Sequence, residues 1–174
     1  GDVYKRQVGD SFLERILVAS KLDNNIHVTS DFGVTWEYFQ GPTLNAGDAI
    51  NTIEMSNDTN PIIIVGTFNG NMYKTVGFTS SWTSVGPAEG WVSITCDKDS
   101  SPGSQLWAAC SRKTNKIYVS QNYGDAWTHQ GNTPTNQPWA NIINYRGSTL
   151  YAAQKYGKVY TSNNQGGTWS ILGT

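Results

Sequence analysis

One eight-residue phrase ending in tryptophan occurs four times, closing at Trp36, Trp82, Trp127 and Trp169, so its copies stand 46, 45 and 42 residues apart. Self-similarity at about 40–45 residues is the period of a stacked array of small sheets, each of which needs its neighbours to bury its faces. The copies read Thr29-Ser30-Asp31-Phe32-Gly33-Val34-Thr35-Trp36, Thr75-Val76-Gly77-Phe78-Thr79-Ser80-Ser81-Trp82, Ser120-Gln121-Asn122-Tyr123-Gly124-Asp125-Ala126-Trp127 and Ser162-Asn163-Asn164-Gln165-Gly166-Gly167-Thr168-Trp169. They divide the 174 residues into units before any strand is assigned.

Short β-branched or apolar runs bounded by Gly, Asn and Ser read as strands. One set is Ile16 to Ala19, Ile62 to Val65, Leu106 to Ala109 and Leu150 to Ala153, and a second, His27-Val28, Met72-Tyr73, Ile117-Tyr118 and Val159-Tyr160, comes just before each phrase. A third runs on from each tryptophan, over residues 36–39, 82–85, 127–129 and 169–172. A fourth precedes the first set in three units, over 50–55, 91–96 and 139–144. Each complete unit thus has four strands, A to D. The expected fold is all-β: a propeller of four-stranded antiparallel blades at about residues 12–41, 50–86, 91–131 and 139–173, either a four-bladed ring or part of a larger one. The first unit lacks a strand A. Residues 1–11 have no counterpart in the repeats, and Gly1 to Gln7 resemble a translated adapter-derived leader, so the propeller domain is expected over 12–174.

The phrase has a physical reading. A short acceptor at its third position (Asp31, Asn122, Asn164) can hold a turn closed by taking backbone N–H groups. Glycine two residues later (Gly33, Gly124, Gly166) admits a positive φ, and the tryptophan covers the turn with an apolar face. The second copy has Gly77 in place of the acceptor and Thr79 in place of the glycine, so it is expected to adopt another geometry. Only Asp31 keeps a carboxylate at the third position, which reads as turn closure rather than a calcium loop.

The pattern Ser/Thr-x-Asp/Asn-x-Gly-x-Thr-Trp resembles the Asp-box, or bacterial neuraminidase repeat, of sialidases, sortilin-type receptors, xyloglucan-degrading glucanases and photosystem II assembly-factor-like propellers. The resemblance spans residues 12–174 and implies a β-propeller in which the box joins strands C and D. A sialidase of that kind would carry an arginine triad, an early Arg-Ile-Pro motif and a tyrosine with a glutamate partner. This chain has four arginines, and Arg15 is followed by Ile16-Leu17. Other glycosidases need two carboxylates roughly 5 to 10 Å apart, for which Asp23, Asp48 and Glu89 are the candidates.

Meander connectivity puts the D-to-A and B-to-C loops on one face and the phrase turns on the other. On the loop face, Arg112, Lys113, Lys116, Lys155 and Lys158 fall with Tyr156 in the B-to-C turns of units three and four. They form a candidate patch for an anionic sugar or an acidic protein surface. From strand A, Asn51, Glu54, Ser93, Thr95, Asn141 and Asn144 are expected to line a wet channel, with Glu54 solvated. A hairpin that sets Cys96 opposite Leu106 and Cys110 opposite Val92 keeps the thiols too far apart to bond, so both are expected reduced and partly buried.

A net charge of −1 with 14% charged residues points away from nucleic acid, and no run of about 18 apolar residues suggests a membrane helix. The chain reads as a non-catalytic interaction module for a glycan or protein partner, with neither cofactor nor metal. It self-associates if its ring is open. Low charge and abundant Asn, Ser, Thr and Gly suit an extracellular or periplasmic setting. The alternative is a fragment of a sialidase-like or other glycoside hydrolase propeller.

Overall fold

The computed structural model describes residues 15–20, 22–99, 105–134 and 137–172, and the expected leader lies outside them. These residues form four antiparallel sheets, each a meander in chain order. Blade 1 is β1 (Ile16–Ala19), β2 (Asn25–Thr29) and β3 (Glu37–Gln40), and blade 2 is β4 (Ile50–Met55), β5 (Ile62–Thr67), β6 (Met72–Val76) and β7 (Thr83–Val85). Blade 3 is β8 (Trp91–Cys96), β9 (Trp107–Ser111), β10 (Ile117–Ser120) and β11 (Thr128–His129). Blade 4 is β12 (Trp139–Arg146), β13 (Thr149–Gln154), β14 (Val159–Ser162) and β15 (Ser170–Ile171). Stacked face to face, the sheets make a β-propeller. Each last strand starts one residue after its tryptophan, because the tryptophan itself belongs to the turn.

Strand pairing sets which face each residue serves. Ile16 pairs with Thr29, Ile63 with Thr75, Trp107 with Ser120 and Leu150 with Ser162. The second-strand runs of units two and three are therefore offset by one residue from the alignment of apolar runs, and a one-residue slip exchanges the two faces of a strand. Ile63 and Trp107 point to the preceding blade, while Ile64 and Ala108 point to the next. A related correction applies to the cysteines. The expected register holds where Trp91 pairs with Ser111, and a β-bulge then shifts it, so Cys110 pairs with Ser93 and Cys96 with Trp107. Both cysteine side chains are buried fully rather than partly.

Three apolar seams join the four blades. Leu17, Ile26, Ile53 and Ile63 fill the first, Ile64, Met72, Trp91 and Trp107 the second, and Ala108, Ile117, Trp139 and Leu150 the third. Gly66 lets the second seam close: a Cβ there would sit 2.5 Å from Trp91 Cβ and 2.9 Å from Thr52 Cγ2.

Of the strand A residues expected to line a wet channel, Glu54, Ser93 and Thr95 are buried, Asn51 and Asn144 are half-buried and Asn141 is exposed. Neighbouring A strands share no backbone ladder, so their polar side chains bridge the seam instead. Asn51 Nδ2 donates to the Trp91 carbonyl (2.8 Å), Ser93 Oγ to Asn141 Oδ1 (2.5 Å) and the Asn144 amide to Thr95 Oγ1 (2.9 Å). Glu54, expected to be solvated, is buried and ion-paired to Lys98 Nζ at 3.1 Å.

Candidate functional site

The phrase turns occupy one rim of the blades, and three of them share one geometry. The first-position hydroxyl accepts the glycine N–H: Thr29 from Gly33 (3.0 Å), Ser120 from Gly124 (3.0 Å) and Ser162 from Gly166 (2.9 Å). That hydroxyl donates in turn to Asp31, Asn122 or Asn164, at 2.7, 2.8 and 2.9 Å. These acceptors also take the backbone N–H of Thr35, Ala126 and Thr168, each at 2.9 Å. The indole N–H of Trp36, Trp127 and Trp169 donates to the glycine carbonyl at 3.0–3.1 Å. Two successive residues adopt positive φ: the glycine, and before it Phe32, Tyr123 or Gln165 near +60°. The Thr35 hydroxyl, helped by the Thr35 amide and Thr29, holds the Asp31 carboxyl at a pKa of about 2.

The second copy differs, as its sequence predicts. Gly77 N–H donates to the Pro61 carbonyl (2.7 Å), and the Thr75 and Thr79 hydroxyls meet at 2.9 Å. Trp82 reaches back to blade 1, donating to the Gln40 carbonyl (2.9 Å) and stacking on Phe39 at 6.3 Å between centroids. In all four copies the side chains hold the rim together.

The opposite rim carries a cleft of roughly 780 Å3 across blades 2, 3 and 4. Two sets of repeat-equivalent positions build it. In each of these blades a β-bulge follows the first residue of strand A, at Ile50/Thr52, Trp91/Ser93 and Trp139/Asn141. The skipped residues, Asn51, Val92 and Ala140, turn into the cleft, which is what a bulge does to a side chain. The second set follows strand B. The amides of Phe68, Arg112 and Lys155 donate to the carbonyls of Ala49, Gly90 and Pro138 (2.9, 2.7 and 2.7 Å), fixing each side chain over the mouth. Trp139 and Tyr156 complete the wall.

The electrostatics of this cleft are one-sided. The Arg112 guanidinium lies 3.8 Å above the Phe68 ring, and Lys155 Nζ lies 5.1 Å from the Tyr156 centroid. Both arrangements are cation–π contacts that orient a cation without neutralising it. Among the described residues that line it there is no carboxylate. Of the six patch residues expected from sequence, Arg112, Lys155 and Tyr156 meet here. Lys113 instead donates through Nζ to the Asn69 carbonyl (2.5 Å). Lys116 stands near His129, whose pKa is lowered first by burial and then by that lysine, and Lys158 is exposed away from the lining. Phe68 and Trp139 stand outside the expected patch, and Asn51, expected in the channel, turns into this cleft; the first residue after each strand B could have been read from the repeat.

The three candidate carboxylates lie apart from the cleft, each already engaged. Asp48 accepts the Asn69 and Ala49 amides at 2.9 Å, and Asp23 accepts the Asn25 amide at 3.1 Å. Glu89 accepts from the Tyr118 hydroxyl (3.0 Å) and from Thr114 Oγ1 (2.7 Å); burial and this glutamate raise the Tyr118 pKa.

No protein-family model matches the sequence, and no curated protein matches it. Solved structures do. The chain is similar to a GH74 enzyme from Niastella koreensis (18% identity, 90% of this chain and 22% of that one, TM-score 0.68) and to YCF48 from Cyanidioschyzon merolae (14%, 91% and 53%, 0.66). It is also similar to U3-55K (11%, 95% and 50%, TM-score 0.72). At these identities the likeness is one of fold, the β-propeller. The chain spans from about a fifth to about half the length of those proteins.

Proposed function

We propose that the chain is a non-catalytic binding module whose loop-face cleft takes an anionic ligand, either an acidic glycan or an acidic stretch of a protein partner. The observation that carries this reading is the convergence of Arg112 and Lys155 on one open cleft with no acidic residue among its described lining residues. Arginine's planar donor fork suits a carboxylate or sulfate, and the exposed Tyr156 ring offers a platform for a sugar face. A glycosidase needs two free carboxylates facing one sugar. Asp23, Asp48 and Glu89 belong to different loops and hold those loops closed, which supports binding over hydrolysis.

A glycan-array screen at low and high salt tests the reading. The expected result is retention of uronate- or sulfate-bearing glycans at low salt and their release at high salt, since exposed charge pairs are screened. Binding confined to neutral glycans and indifferent to salt would remove the cation pair from the account. Silence on the array together with salt-sensitive capture of an acidic peptide would assign the cleft to a protein partner.

A further inference from the structure

The turn that carries Arg112 has a latch beyond the one the repeat supplies. In blades 2, 3 and 4 one bond recurs, from the amide of the first residue after strand B to the carbonyl of the residue before strand A, and it fixes Phe68, Arg112 and Lys155 alike. Blade 3 adds a latch built on the half-buried Glu89. The Lys113 amide donates to the Glu89 carbonyl (3.2 Å), the Thr114 hydroxyl to Glu89 Oε2 (2.7 Å) and the Tyr118 hydroxyl to Glu89 Oε1 (3.0 Å). An ionised carboxylate only accepts, so the Thr114 proton is committed to it. The Ser111 hydroxyl, 2.8 Å from Thr114 Oγ1, therefore donates to Thr114 and accepts the Lys116 amide (3.1 Å). The bonds run in one direction from Lys116 through Ser111 and Thr114 to Glu89, and such a chain polarises itself. It closes the turn 111–116 around Arg112.

The ring beneath the guanidinium is held in a related way. Asp48, two residues ahead of β4 as Glu89 is of β8, takes the Asn69 amide at Oδ1 (2.9 Å), and Lys113 Nζ donates to the Asn69 carbonyl (2.5 Å). Both backbone groups of Asn69 are thus engaged, which fixes Phe68 just before it. Gly90 lets the two turns approach, since a Cβ there would lie 2.5 Å from the Phe68 carbonyl oxygen. The Phe68 ring and the Arg112 guanidinium, 3.8 Å above it, are each set from the loop that precedes their blade's strand A. A long exposed side chain loses rotamer freedom when a ligand fixes it, and a guanidinium already stacked has less to lose.

We infer that Glu89 is a positioning residue for the loop-face cleft: through Thr114 it holds the Arg112 guanidinium on the Phe68 ring, ready for an anionic group of the ligand. The ligand's part in this rests on the binding reading above, and the latch rests on the bonds themselves. A positioning role and a plain charge effect have opposite signs. Removing an acid beside a turn that receives acids tightens binding if only its charge matters, whereas removing the latch weakens it.

The side-chain Nε–H signal of Arg112 in a 15N NMR spectrum of the whole chain reads the latch without ligand, because the Phe68 ring current displaces it. Phe68→Leu marks the unstacked position. Thr114→Val, which deletes the hydroxyl but no charge, is expected to move the signal toward that position, and Thr114→Ser, which keeps the hydroxyl, to leave it in place. Titration with a short oligogalacturonate at low salt reads the consequence. Thr114→Val and Glu89→Gln should each weaken binding about threefold or more, and neither should weaken it further in an Arg112→Ala background. An Arg112 signal unmoved by Thr114→Val, tighter binding by Glu89→Gln, or equal losses with and without Arg112 would overturn the inference. A wild-type chain that ignores the oligosaccharide while Thr114→Val still shifts the Arg112 signal would overturn the ligand reading and leave the latch standing.

Discussion

The two rims of this propeller are made from the ends of the same strands, yet they use their polar groups in opposite ways. On the phrase rim, Thr29, Asp31, Ser120, Asn122, Ser162 and Asn164 all bond within their own turns. On the loop rim, Arg112 and Lys155 project into an open cleft and rest on aromatic rings. The phrase closes a turn within eight residues, so its chemistry is complete before the blades assemble. The cleft exists only after three blades stack, and its positions are then free to differ: Phe68, Arg112 and Lys155 occupy one equivalent place with three chemistries. Repetition marks structure in this chain, and variation at equivalent positions marks the site.

That contrast breaks if the rims respond alike to mutation. The largest effect is expected at Gly124, which has φ +81° and whose added Cβ would collide with Ile64 of the neighbouring blade. Gly124→Ala should cost about 1–3 kcal/mol from backbone strain alone, with the collision adding to it. Gly33→Ala, with Trp36 a comfortable 3.6 Å from the new Cβ, should cost only the strain. Thermal denaturation of the two variants makes the comparison, and neither should change ligand affinity per folded molecule.

The next effect is on binding. Arg112→Ala combined with Lys155→Ala should weaken an acidic ligand at least tenfold, about 1.4 kcal/mol. Its unfolding free energy should stay within about 0.5 kcal/mol of the wild type, as for ordinary surface changes. Calorimetric titration and chemical denaturation on one preparation separate the two quantities. A double variant that binds normally removes the cleft from the account.

The smallest effect sharpens a difference inside the phrase rim. The Asp31 carboxyl is depressed from 3.8 to about 2 in the fold, so its contribution is full above the unfolded value and is lost as pH falls from about 3.8 through about 2. Asn122 and Asn164 do the same work with amides that do not titrate in this range. Asp31→Asn should therefore flatten part of the acid limb of the stability profile while leaving neutral-pH stability nearly unchanged. An unaltered acid limb would mean that the carboxylate gains nothing from its turn.

What could be read from sequence was what is local. The period, the strand runs and the turn-closing acceptors Asp31, Asn122 and Asn164 all involve residues close in the chain. The first-position hydroxyls of Thr29, Ser120 and Ser162 were equally local and equally repeated, and their role was legible though unread. Register was not legible, because apolar residues on both faces of a buried strand erase the alternation that would fix it. Ile62 to Val65 therefore gave no sign of the one-residue offset. The bulges that aim Asn51, Val92 and Ala140 into the cleft depend on strand pairing, and the burial of Glu54 beside Lys98 depends on how the A strands meet. Neither leaves a mark on spacing. For the same reason a cluster of five cationic residues in sequence resolves into two that share the cleft.

The most direct test uses the seven tryptophan indole N–H signals in a two-dimensional 15N NMR spectrum, titrated with a short oligogalacturonate at low salt. Trp139 lines the cleft, whereas Trp36, Trp127 and Trp169 report on the phrase turns. The expected result is movement of the Trp139 indole together with the Arg112, Lys155 and Tyr156 amides, while the three turn indoles stay in place. Movement of the turn indoles with a silent Trp139 would contradict the assignment of binding to the loop rim.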